Sequence, residues 1–407
     1  MQHPNKKEAL KYHSKGRPGK TEIIPTKPAS STEDIALAYT PGASFPSSVI
    51  SSDKWNAYRY TNKGNLIGLL SNGESSIAEK PLMESKSMLM KTFADIDSFD
   101  IELSEEGNDE LVKIIQSIAP TFGGISIGGI KSNDGIILQE KLQQLLGIPV
   151  LHDEAYGVAV TIAAFILNYF KVAHLTPSDI TTALIGSGTT TLATLQLIEE
   201  IGIFHRNIIF FENSNKHTQL RTMLGNCQVI ISTEKEQALM PDILDNIPAN
   251  AAIVLLAPQS DYKAIKNIHP DAIIATGNIL MPNFIDSILA SPYIFRGALD
   301  TLSASINKLM IKAAINSLAS LFADSGKNEQ LLPKYNDTRL AITISSAVAQ
   351  AAIESGIARR KITNWKEYHH AMLSRLERIY NMSQHIRHYG KQTHRLHRRY
   401  IRAIPEY

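Results

Sequence analysis

The chain has 407 residues, 43% of them hydrophobic and 20% charged, with a formal net charge of +2. This length favours two domains, or one large one, with ample buried core. The balanced charge excludes an overall field for nucleic acid or a membrane surface. A single cysteine, Cys227 in "NCQVIIS", excludes a disulfide framework and a thiolate metal site, fits a reducing compartment and reads as a buried bystander.

The N-terminal "MQHPNKKEALKYHSKGRPGK" lacks an apolar run after its basic residues, so it does not read as a secretory signal. Nor does a run of about 18 uncharged apolar residues stand out, so no membrane span is expected and the cytoplasm is the expected compartment. "STEDIALAYTPGA" begins a helix with Ser31 or Thr32 as N-cap and stops before Pro41-Gly42. "NLIGLLSNG" (65–73) reads as a strand and turn, "PLMESKSMLMKTFADI" as a helix and "FDIEL" as a strand. "ELVKIIQSIAPTFGGISI" follows as helix, turn and strand. "LQEKLQQLLG" is a helix closed by Gly147, and "IPVLHDE" is the next strand. Alternating strand and helix implies a parallel α/β sheet.

An apolar helix, "VAVTIAAFILNYFK" (158–171), leads into a more regular rhythm. "TTALIGSGTTTLATLQLIEEIG" reads as strand, glycine turn and helix. "NIIFFEN", "CQVIIS", "AAIVLLAP" and "DAIIATG" are buried strands of a doubly wound, Rossmann-type sheet. In "LIGSGTTTLA", Gly186 permits the tight turn and Gly188 lets a pyrophosphate approach the helix N-terminus, while Thr191 stands at the usual third glycine. The next strand ends in Glu212, placed to bind a ribose 2′-hydroxyl and to favour NAD over NADP. Between His385 and Arg402 stand six Lys/Arg, four His and no acid. That tail reads either as a helix packed on the protein or a second subunit, or as a surface for an anionic partner.

Ordered segments then carry a resemblance. "ALKYHSKGRPGKTEIIPTKP", "IALAYTPG", "YRYTNKGNL", "KPLMESKSMLMKTFADIDSFDIEL", "APTFGGI", "IPVLHDE", the glycine turn, "IIATG" and "FRGALD" resemble the short bacterial malic enzymes, up to about residue 315. The resemblance implies oxidative decarboxylation of malate to pyruvate, with NAD(P) as hydride acceptor and Mg2+ or Mn2+ as Lewis acid. It implies Lys86 as base and Tyr39 as acid, facing one another across a cleft near Asp153 and Glu154. It also implies a homodimer or higher assembly acting on a small-molecule substrate. The expected architecture is α/β: a malic-enzyme-like domain over 1–157, a Rossmann-type NAD(P) domain over 158–365 and a basic helical tail over 366–407.

Site positions depart from the pattern. Where the family reads "NLEDI", with two metal-binding carboxylates, Gly128 and Gly129 stand here. Asp153 and Glu154 survive as candidate metal ligands, but neighbours on a strand face opposite sides, so at most one is expected to point inward. "SSIAEKP" (75–81) reads as a shortened loop before the lysine, while Ala257 and Asp286 replace substrate asparagines. Two readings follow: a malic enzyme of impaired activity, or an inactive homologue serving as a dinucleotide-binding or regulatory protein.

Overall fold

A computed structural model describes residues 5–14, 19–72, 76–104, 107–128, 135–212, 217–234, 244–257, 262–322 and 329–392. Gly129 and Asp134 lie outside these residues, as does the tail beyond Gln392. The first sheet holds β1 (Leu66–Ser71), β2 (Asp97–Glu102), β3 (Gly124–Ile127) and β4 (Val150–His152) in the order β2-β1-β3-β4. The second holds β5 (Thr182–Ile185), β6 (Ile208–Phe211), β7 (Val229–Ser232), β8 (Ala252–Leu255), β9 (Ile273–Thr276) and β10 (Asn283–Phe284). Its order is β10-β9-β8-β7-β5-β6, and every pairing in both sheets is parallel. β5 has its sequence successors on opposite sides, so the sheet reverses direction beside it. Ligands of doubly wound sheets bind at such a switch point.

Side chains alternate across β1, and both sets are buried. Leu66 and Leu70 pack with Leu111 and Ile115, while Ile67 and Leu69 face the main core. The helix Val158–Ala173 is buried over most of its length and belongs to that core, which also takes in Leu184, Val229 and Val254 of the second sheet. One continuous core therefore runs through the expected boundary at 157/158. Among the described residues the segment Asp153–Ala173 alone is long and apolar enough to cross a membrane, and it lies mostly buried inside the fold. It contains the apolar helix expected over 158–171, and that helix is part of the core.

Two expectations are corrected. Residues 76–81 are not a loop, because they belong to the helix Ser76–Ala94, which takes Pro81 into its second turn. Nor does the β4 strand continue through the acids: it ends at His152, and Asp153–Gly157 coil into a π-helical turn. The basic tail starts as a long helix, Trp365–Gln392, packed on the protein itself. Arg375 bonds Asp300, and Arg378 bonds Asp95 at the end of the Lys86 helix. The N-terminal arm is different: the helices Lys6–Ser14, Thr32–Ala38 and Ser44–Ser52 bury none of their residues. Ser31 still caps its helix as expected, accepting from Asp34 N at 3.0 Å in a complete capping box. Cys227 is buried, and burial pushes its thiol up to about 11, which suits an inert core residue.

Candidate active site

Lys86 projects from the middle of the helix Ser76–Ala94 towards the end of β4. Its Nζ donates to Glu154 Oε1 at 2.8 Å and lies 3.3 Å from Asp153 Oδ2. The lysine side chain is 12% exposed and Asp153 only 2%. Both acids reach it because the π turn sets successive side chains about a third of a turn or less apart, whereas a strand would oppose them. The expectation that at most one points inward is overturned for this reason. Burial alone would lower the lysine, but Asp153 and then Glu154 outweigh it and hold Lys86 above its usual range. The depressed value that a resting base would need is not found.

Gly128, at the end of β3, completes the cluster. A Cβ at this position would stand 2.7 Å from Lys86 Nζ and 2.9 Å from Asp153 Oδ1. Asp153 Oδ1 faces that side with no hydrogen-bond partner among the described residues. One free oxygen does not make a cage for Mg2+ or Mn2+, which prefer several oxygens in octahedral geometry. Among the described residues no three His, Cys, Asp or Glu gather to hold a metal. The described residues therefore do not fit the family's divalent cation. The space left beside Lys86, lined also by Ser287 and Ser291, is about 10 Å³, enough for roughly one water. Neither serine stands out in the sequence, since only the fold brings them to Lys86. Asp286 uses its carboxylate to cap Ile288 N at 3.0 Å, at the start of the 3-10 turn that carries Ser287. Ala257 is buried at the end of β8. A cavity of about 600 Å³ lies elsewhere, between the helices Gly135–Leu146, Thr189–Glu200 and Lys308–Ser320.

The glycine turn fits a dinucleotide. Gly186 (φ +131°) and Gly188 (φ +85°) both adopt conformations closed to other residues, and Gly188 caps the helix Thr189–Glu200. A Cβ on Gly186 would meet Thr233 Oγ1 at 2.2 Å. Thr191 is buried, its hydroxyl bonded to Ser187 O at 3.0 Å and to Thr233 Oγ1 at 2.6 Å. Thr233, at the end of β7, is a contributor that the motif alone does not reveal. Glu212 is exposed and follows Phe211, whose carbonyl accepts from Gly186 N at 2.8 Å, so the acid stands at the mouth of the turn. Tyr39, at the C-cap of the helix Thr32–Ala38, is 73% exposed. Thus the fold joins Lys86, Asp153 and Glu154, and leaves Tyr39 on the open arm.

No family model matches the chain. It is 35% identical to an NADP-dependent malic enzyme of Rhizobium meliloti over 93% of this chain and 56% of that protein. It is 30% identical to the NADP-dependent malic enzyme of Halomonas elongata, over 88% of this chain and 96% of the relative. The chain belongs to the malic enzyme family. A crystal structure of malic enzyme from Pyrococcus horikoshii superposes with a TM-score of 0.87 at 30% identity, over 95% of this chain and 99% of that one. The chain spans about half the length of the first relatives it matches, of which one from Rhizobium meliloti is named NAD-dependent. In this malic enzyme homologue the polar centre among the described residues is the closed Lys86–Asp153–Glu154 triad.

Proposed function

We propose that this malic enzyme homologue binds a dinucleotide and carries out the oxidative decarboxylation of malate to pyruvate at a strongly impaired rate. The observation that carries the reading is the closed triad: one ammonium between two carboxylates, net charge about −1, with room for roughly one water. Malate is a dianion, and nothing in the triad offers it an unpaired positive charge. The dinucleotide, when bound, would accept the hydride. Gly186 and Gly188 would let its pyrophosphate approach the helix N-terminus, and Thr233 would border the crevice. Lys86 would take the malate hydroxyl proton only after shedding its own, which Asp153 and Glu154 oppose. Tyr39 would return a proton to the enolate carbon, but within a single copy its side chain is exposed on the arm, so this step needs the arm covered to exclude solvent.

The test is a spectrophotometric assay with malate, Mn2+ and each of NAD and NADP, beside a malic enzyme with a complete metal site. Losing metal polarisation removes several kcal/mol of transition-state stabilisation, so turnover is expected to be lower by about three powers of ten. Turnover at the comparison enzyme's rate would end this reading. Glu212 further implies that NAD binds more tightly than NADP, because its carboxylate repels a 2′-phosphate. In calorimetry Glu212→Ala is expected to narrow that difference, and an unchanged ratio would remove Glu212 from the site. The exposed Leu37, Tyr39 and Phe45 favour a second copy covering the arm, hence a dimer or larger assembly.

A further inference from the structure

Lys86 occupies the place that a metal cage would need. The geometry points to this from three directions. First, an extra carbon on residue 128 would fall 2.7 Å from the lysine nitrogen, closer than carbon and nitrogen approach without a bond. A side chain rooted there would have to push the end of Lys86 aside. Second, the ammonium touches both surviving acids, at 2.8 Å to Glu154 and 3.3 Å to Asp153, rather than one alone. Third, the cluster is largely closed to solvent, so two neighbouring carboxylates there require a counter-charge from within the protein.

We propose that the Lys86 ammonium replaces the divalent cation as the permanent counter-charge of the Asp153–Glu154 pair, making the centre metal-independent. With no carboxylate on residue 128 to share the load, a metal held by Asp153 and Glu154 would have to displace this ammonium. The inference concerns charge and binding, not turnover, so it stands or falls separately from the malate assay. It also separates two causes of metal loss. If only the missing carboxylates matter, removing Lys86 does nothing for metal binding. If the lysine is the substitute cation, removing it opens the site.

The experiment compares the full-length protein with Lys86→Ala and Lys86→Gln, melting each with and without millimolar MnCl2 at matched ionic strength. Manganese binding is followed by electron paramagnetic resonance. The unmodified protein is expected to melt at the same temperature with Mn2+, with Mg2+ or with chelator. The variants should melt lower, because two acids lose their partner, and Mn2+ should recover part of the loss. Mn2+ should also bind the variants roughly tenfold or more tightly than the unmodified protein. Adding Glu154→Gln to either variant should erase the manganese effect. Lys86→Gln keeps the stem and a donor, and serves if the alanine variant does not fold. The proposal is overturned if the unmodified protein holds Mn2+ in the micromolar range, or if the folded variant gains nothing from Mn2+ beyond the effect of salt.

Discussion

Asp300→Ala is expected to lower the unfolding free energy by about 3–5 kcal/mol, read as an earlier midpoint in urea denaturation. Asp300 Oδ1 accepts from Arg296 Nη2 at 2.7 Å and Arg375 Nη1 at 3.1 Å, and Oδ2 accepts from Arg296 Nε at 3.0 Å and the Tyr368 hydroxyl at 2.9 Å. Arg296 is itself only 2% exposed, so the alanine leaves a buried guanidinium with Asn65 Oδ1, at 2.6 Å, as its remaining side-chain partner. The same carboxylate ties the helix Trp365–Gln392 to the helix Ser291–Asp300, which packs on the Lys86 helix. Burial would raise this acid, but Arg296 and Arg375 outweigh it and hold it below the usual carboxylate range. Its stabilisation is therefore fully present above the unfolded value of about 3.9 and is lost as the pH falls through the lower folded value. The gap between unmodified and Asp300→Ala protein should thus be constant near neutrality and close only in strong acid. A gap below 1 kcal/mol at neutral pH would show that the network contributes little.

That network marks where sequence reasoning ends. Arg296 and Asp300 form a helical i, i+4 pair visible in "FRGALD", but Tyr368 and Arg375 come from a helix some 70 residues later, and no local pattern announces them. The parallel strands were legible because β5, β7, β8 and β9 are continuous apolar runs, as sheets covered on both faces require. The glycine turn was legible for the same local reason: strand, glycines and helix follow one another directly. The acids after His152 were misread because the strand was extended two residues too far, through Asp153 and Glu154, into a turn whose geometry depends on its packing against Ser287 and Ser291. Likewise "SSIAEKP" looked like a shortened loop because it was matched to a longer glycine-rich segment of the family, whereas Ser76 to Pro81 belong to the helix that carries Lys86. The missing carboxylates at Gly128 and Gly129 were visible by resemblance. That Lys86 fills the resulting space beside Gly128 was not, because 42 residues and a sheet crossover separate the two in the chain.

Gly186→Ala is expected to abolish measurable NAD binding in calorimetry and to lower stability. Two effects add at this residue. A non-glycine residue at φ +131° costs about 1–3 kcal/mol of backbone strain. The new methyl also falls 2.2 Å from Thr233 Oγ1 and 3.2 Å from Thr191 Oγ1, which forces those hydroxyls apart at about 1–3 kcal/mol of overpacking. Thr233 cannot simply turn away, since it also donates to Ile185 O at 3.2 Å and shares the 2.6 Å bond with Thr191. Whichever partner yields, the turn shifts away from the position where the pyrophosphate would meet the amides of the helix N-terminus. The companion change Thr233→Ala separates these effects, because it removes the clash and leaves the strain. Gly186→Ala/Thr233→Ala should therefore regain part of the lost stability while still binding NAD poorly. Full NAD binding by Gly186→Ala alone would mean that the dinucleotide does not use this turn, and the cofactor site would have to be sought elsewhere on the sheet.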